Sequence, residues 1–256
     1  MSRIAETFAR ARGESRAVFV AYLTAGDPSP DATVGLARAL ARAGADVLEL
    51  GVPFSDPIAD GPVLQRAAAR ALEGGTTLET VFAIARRIRR ETDLALVLFS
   101  YVNPVLRRGV GRAAAEARDA GFDGVLLTDL PPEEAAPFRP TLRHAGLDTI
   151  FLVSPTSPPS RMAAAARSSS GFLYVVSRAG TTGARARPSR DLEATARRAR
   201  RHAGGLPTAI GFGIGDAASA ARAASLADGV VVGSALVRAA EEAVEKLART
   251  LAAACR

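Results

Sequence analysis

A chain of 256 residues with 48% hydrophobic but only 5% aromatic residues, and no Trp, must build a large and mainly aliphatic core. No apolar run approaches the roughly 20 residues of a membrane-spanning helix, and the opening stretch MSRIAETFARARGES lacks the apolar segment of a secretory signal, so no membrane association is expected. The formal charge of +7 comes almost wholly from arginine, Lys246 being the single lysine; the single cysteine, Cys255, excludes an internal disulfide and suits a reducing, cytoplasmic setting.

The predicted elements alternate along the chain. After an extra N-terminal helix come a strand at 17–23 (AVFVAYL), a helix at 30–43, a strand at 46–51 (DVLELG) and helices at 62–73 and 77–91. A strand at 94–101 (LALVLFSY) is followed by a helix at 111–120, a strand at 124–129 (GVLLTD) and a helix at 132–145. The second half repeats the scheme: strand 149–154, helix 158–167, strand 172–177, helix 189–203, strand 208–213, helix 216–224, strand 229–234 and helix 234–254. The strand runs are nearly continuous in apolar residues, which implies burial on both faces of a parallel sheet covered by helices. Eight strand–helix units in this length match a single-domain α/β fold, a closed (β/α)8 TIM barrel spanning 1–256, with a doubly wound open sheet as the alternative.

Three segments, ARAGADVLEL, RDAGFDGVLL and RHAGLDTIFL, repeat one pattern: a helix end, Gly, Asp, then a strand. Gly suits the left-handed position just past a helix. The arginines cluster in Ala-rich helical stretches such as IARRIRRE and ATARRARRH. Without interleaved aromatics or a recognition motif they read as solvated helix faces, and no nucleic-acid partner is expected.

Two strand-to-helix connections are long. GVPFSDPIADGP (51–62) carries Asp56 and Asp60 among three prolines, which stiffen it. SRAGTTGARARPSR (177–190) carries two glycines and a Pro and reads as a candidate lid or as a surface insertion. In a barrel both would lie on the face where active sites form.

Elimination narrows the chemistry. His144 and His202 each stand beside Gly at a predicted helix end, and with one terminal cysteine they cannot assemble a zinc-type cluster, so no metal is expected. Lys246 lies in the last helix, away from any strand position that Schiff-base chemistry would need. Carboxylates remain. Glu49, inside VLELG, is desolvated by its leucine neighbours, which raises its pKa toward neutrality and prepares it for proton transfer. Asp60 follows on the loop, and two carboxylates in different environments can divide acid and base roles. The competing reading of Glu49 is a buried ion pair with an arginine inside the barrel; that of Asp56 is simple turn chemistry in SDP. GFGIGD (211–216) and VVVGSAL (230–236), at the ends of the seventh and eighth strands, bring small residues where backbone N–H groups can meet a phosphate, and Gly183 in the preceding loop could complete the nest.

With YLTAGDP, LELGVPFSDPIADGP, SRAGTTG, GFGI and VVGSA in order along essentially its whole length, the chain resembles the tryptophan synthase α subunit family. The resemblance implies a (β/α)8 barrel that cleaves indole-3-glycerol phosphate to indole and glyceraldehyde 3-phosphate without a cofactor. It also implies a β subunit that consumes the indole in an α2β2 heterotetramer. Carried over, Glu49 is the general acid/base at indole C3 and the glycerol hydroxyl, and Asp60 holds the indole N–H. Tyr22, Phe99, Leu126, Tyr174, Thr182 and Phe212 line the indole site. Gly183, Gly213, Gly233 and Ser234 hold the phosphate, while Pro53 and Asp56 belong to the loop facing the β subunit. Tyr22 departs from the pattern by standing where family members carry Phe, and the loop continuation ARARPSR is unusually basic.

Overall fold

The structure, a computed structural model, describes residues 1–176, 191–211, 213–239 and 241–256. The described residues contain eight strands: β1 (Val18–Thr24), β2 (Val47–Gly51), β3 (Ala95–Ser100), β4 (Gly124–Leu127), β5 (Asp148–Val153), β6 (Leu173–Val176), β7 (Thr208–Gly211) and β8 (Gly229–Val232). They pair in chain order, all parallel, and β8 returns to β1 to close the barrel. Closure decides between the two sheet topologies left open by the sequence.

Alternation along each strand sorts the apolar residues into two cores. Leu48, Leu50, Leu96 and Leu98 face outward and pack under the helices, with Phe82 and Phe122 among the largest fully buried side chains there. Val20, Tyr22, Val47, Val97, Phe99, Leu126, Ile150, Tyr174 and Val231 face inward. A parallel strand buried on both faces shows this division in three dimensions though its sequence reads as one apolar run.

The floor of the barrel is a built plug. The N-terminal helix α1 (Arg3–Gly13), capped by Ser2, sends Ile4, Phe8 and Ala11 into the inner core. Gly124 and Gly229 leave room for them; a Cβ at Gly124 would press on Ile4 and one at Gly229 on Phe8. Charged groups tie the plug down. Asp46, Asp123 and Asp148, the aspartates of the sequence repeat, stand at strand beginnings together with Asp228. Asp46 accepts the Phe19 N–H at 2.9 Å, Asp123 that of Leu96 at 2.8 Å and Asp228 that of Thr208 at 2.9 Å, each linking adjacent strands. From α1, Arg3, Arg10 and Arg12 approach Asp123, Asp46 and Asp228 at 3.5, 3.8 and 3.9 Å, and Ser2 hydrogen-bonds Asp148. Arg16 adds a two-pronged contact to Asp46 at 2.7 and 2.8 Å.

Two helix expectations are corrected and one helix is added. The segment 132–145 is a 3-10 turn (Pro132–Glu134) and a short helix (Arg139–His144), because Pro137 and Pro140 interrupt the backbone ladder. The segment 234–254 divides into Ser234–Arg238 and Glu241–Ala254, with Ala239 extended between them. Val102–Arg108 is an additional helix directly after β3. Among the described residues no helix is long and apolar enough to cross a membrane.

Candidate active site

Glu49 sits at the centre of β2, between the outward-facing Leu48 and Leu50, so its side chain enters the barrel beside Tyr22 and Val97, its register partners on β1 and β3. It is 1% exposed, and its Oε1 has no hydrogen-bond partner. No ion pair joins it to an arginine among the described residues, and burial is the one influence that shifts its carboxyl, up from 4.5 to about 8. An unsatisfied buried carboxyl costs stability, and such a cost is retained where the group has work to do.

Asp60 ends the loop that follows β2 and is 8% exposed. The loop is held by more than its prolines. Asp60 N donates to Pro57 O at 3.0 Å, Gln65 Nε2 donates to Asp60 O at 2.9 Å, and Ala59 N donates to the Tyr101 hydroxyl at 3.0 Å. That hydroxyl in turn donates to Asp60 Oδ2 at 3.2 Å, and its ring stacks on Phe54 with centroids 5.0 Å apart. Burial raises the Asp60 carboxyl to about 6, against the lowering effect of the Tyr101 bond. Two inward carboxyls are thus separated by environment: one desolvated and unpartnered, the other partly stabilised by a phenol.

Around them stand the aromatic and aliphatic walls. Tyr22 meets Phe99 edge-on, 5.1 Å between centroids and 78° between planes. Leu126 is Phe99's register partner on β4, and Tyr174 continues the wall on β6; all four are buried. The Tyr22 ring lies over Gly51 of β2, and the Tyr174 ring over Gly211 of β7; a Cβ at either glycine would collide with the phenol. At the far side of Tyr22, Gly233 ends β8 and opens the helix beginning at Ser234, both half-buried, and the Cβ that Gly233 lacks would sit 3.6 Å from Tyr22 Cβ. Gly213 lies just past β7 with φ +77°, a conformation that favours glycine.

The structure therefore brings Tyr22, Glu49, Asp60, Phe99, Leu126 and Tyr174 together at the C-terminal half of the barrel, with Gly213, Gly233 and Ser234 at its rim. Thr182, Gly183 and Phe212, and the candidate lid at 177–190, lie outside the described residues. Asp56 is exposed and accepts from Ser55 Oγ at 2.6 Å, whereas Pro53 is buried. Sequence reasoning missed Tyr101, whose place at the end of the third strand run was its only signal. It also missed Leu152 and Val176, half-buried residues that pack on the inner core near the mouth. His144 and His202 end the helices before β5 and β7 and so lie on the opposite face.

A family model described as the tryptophan synthase alpha chain matches residues 8–255. Among curated relatives, the tryptophan synthase alpha chain of Solibacter usitatus is 51% identical over 248 residues, covering 97% of this chain and 92% of its own. That of Burkholderia mallei is 49% identical, covering 98% and 93%. Among solved structures, a chain of Mycobacterium tuberculosis tryptophan synthase superposes with a TM-score of 0.94 at 38% identity, covering 100% of this chain and 98% of that one. The tryptophan synthase alpha chain of Legionella pneumophila follows the same path, with a TM-score of 0.85 at 37% identity and coverage of 99% and 94%. With its barrel, its pair of inward carboxyls and these matches over nearly the whole length, the chain belongs to the tryptophan synthase alpha chain family.

Proposed function

We propose that this chain cleaves indole-3-glycerol phosphate to indole and glyceraldehyde 3-phosphate, the lyase reaction of its family, with Glu49 and Asp60 as the catalytic pair. The supporting observation is a carboxyl buried in the barrel with an oxygen that nothing satisfies. At neutral pH a carboxyl held near 8 is protonated. It donates to indole C3, which turns the ring into an iminium-like electron acceptor. The resulting carboxylate then takes the proton of the glycerol hydroxyl as the bond from C3 to the side chain breaks. The electron pair of that bond restores the aromatic ring, the hydroxyl becomes the aldehyde, and Glu49 ends protonated as it began. Asp60, ionised above about 6, accepts the indole N–H and offsets the positive charge that develops on the ring.

Tyr22, Phe99, Leu126 and Tyr174 form the walls for the heteroaromatic ring, and Gly213, Gly233 and Ser234 take the phosphate through backbone amides and a hydroxyl. Thr182, Gly183 and Phe212 complete these sets on the family pattern.

A β subunit that consumes the indole is the partner, in an α2β2 assembly. What supports a docking face is apolar exposure on the loop after β2 and its neighbours. Ile58 is 77% exposed and borders a cleft with Phe54, Pro57, Ala69 and Leu72, and Leu106 is exposed on the helix after β3, Val102–Arg108. Water contact of this kind is relieved when a partner covers it. The deciding experiment measures indole release from indole-3-glycerol phosphate by the chain alone and with a β subunit. Absence of indole in both conditions overturns the reading of the site, and turnover indifferent to the β subunit overturns the partner.

A further inference from the structure

Tyr22 carries a hydroxyl for which the fold provides little. It is 6% exposed, and its hydrogen-bond contact is a long one, 3.4 Å to Thr24 Oγ1. The ring starts beside Gly233 at the end of β8, crosses the inner face of β1 and ends over Gly51 of β2. The oxygen therefore occupies the space a side chain at position 51 would fill. Glu49 lies one inward position earlier on β2, and Asp60 closes the loop above. The oxygen thus lies at the end of β2, between the inward position of Glu49 and the loop that leads to Asp60.

This position has a counterpart on the substrate. If Glu49 reaches C3 and Asp60 reaches N1, as the proposed function has it, the atom between those two points on the indole ring is C2. A group seated between the two carboxyls faces C2. We propose that the Tyr22 hydroxyl is a specificity-determining group: seated over Gly51, it closes the pocket at C2 of the indole and excludes substrates substituted there. The inference rests on the assignment of Glu49 and Asp60 above. The phenol oxygen has about the bulk of a methyl group, and one methyl's room in a tight apolar pocket changes selectivity by roughly 10- to 200-fold. Tyr22→Phe removes the oxygen and keeps the ring, the contact with Phe99 and the position over Gly51.

The test uses the reverse reaction, in which indole C3 bonds to the aldehyde carbon of glyceraldehyde 3-phosphate, the aldehyde oxygen gains a proton and C3 loses one. Wild type and Tyr22→Phe are assayed with indole and with its 2-, 4-, 5-, 6- and 7-methyl isomers, each rate divided by that enzyme's rate with indole. The expected result is a gain of at least about tenfold for 2-methylindole in Tyr22→Phe, with the other isomers changing less than about threefold. No gain, or an equal gain for all isomers, overturns the proposal. Thr24→Val removes the hydroxyl's contact but leaves its oxygen in place, so its isomer pattern should match wild type. A 2-methyl gain there equal to that of Tyr22→Phe would make hydrogen-bond orientation, not bulk, the cause, and would also overturn it. If wild type turns over neither indole nor indole-3-glycerol phosphate, the functional reading itself fails; normal turnover of both with unchanged selectivity in Tyr22→Phe sinks this inference alone.

Discussion

Replacing Glu49 with glutamine tests burial and chemistry in one protein. Burial raises the carboxyl from 4.5 to about 8, so between those values the folded chain keeps a proton that the unfolded chain releases. The sign follows: the unfolded state binds fewer protons, so stability falls as pH rises across this window and is fully restored below it. At about 1.4 kcal/mol per pKa unit, a gap of roughly 3.5 units amounts to about 5 kcal/mol at its limit, of which about 4 develops between about pH 5 and pH 8.5. Glutamine has no proton to lose. The stability difference, variant minus wild type, should therefore grow by about 4 kcal/mol over that range, or about 8–16 °C in Tm for a chain of this size. Urea unfolding at three pH values measures it, and indole release on the same preparations should fall by at least about a hundredfold. A stability difference that stays constant with pH would refute the claim that Glu49 is desolvated and unpartnered. Turnover near that of wild type would remove its proton-transfer role.

Other outcomes follow from the same geometry. kcat/KM should be bell-shaped, rising as Asp60 ionises near 6 and falling as Glu49 loses its proton near 8; a profile flat from about pH 5 to pH 9 would contradict the assignment. Tyr101→Phe deletes the hydrogen bond that lowers the Asp60 carboxyl while keeping the stack on Phe54, so the acidic limb should move to higher pH and kcat/KM near pH 6 drop about tenfold. An acidic limb that stays in place would show that the phenol does not control Asp60. Asp46→Ala leaves Arg16 and the Phe19 N–H without their carboxylate on the floor of the barrel and should cost about 3 kcal/mol, read as a Tm loss of about 6–12 °C, with KM at the opposite face unchanged.

Tyr101 and Asp60 show where sequence reasoning stopped. Asp60 stood out as an acid in a proline-stiffened loop, and the prolines do restrict it. What orients the carboxyl, however, is a phenol 41 positions away in the chain. Tyr101 read as the last residue of an apolar strand run, a place where any aromatic would serve, so nothing local marked it. The aspartates of the Gly–Asp repeat were visible as a pattern, but their use in fastening strands and α1 was not, because their partners lie on other elements.

Strand number, the alternation of strand and helix, and the candidate acids were legible because they depend on local matters: unbroken apolar runs, Gly after helices, and the rarity of histidine, lysine and cysteine. Only the tertiary structure decided that the sheet closes, that Glu49 points inward with an oxygen unsatisfied, that Pro53 is buried while Asp56 is exposed, and that the Tyr22 phenol ends over Gly51. Each of these depends on which distant segments surround a side chain, and burial and charge are sums over those neighbours, which a linear pattern does not contain.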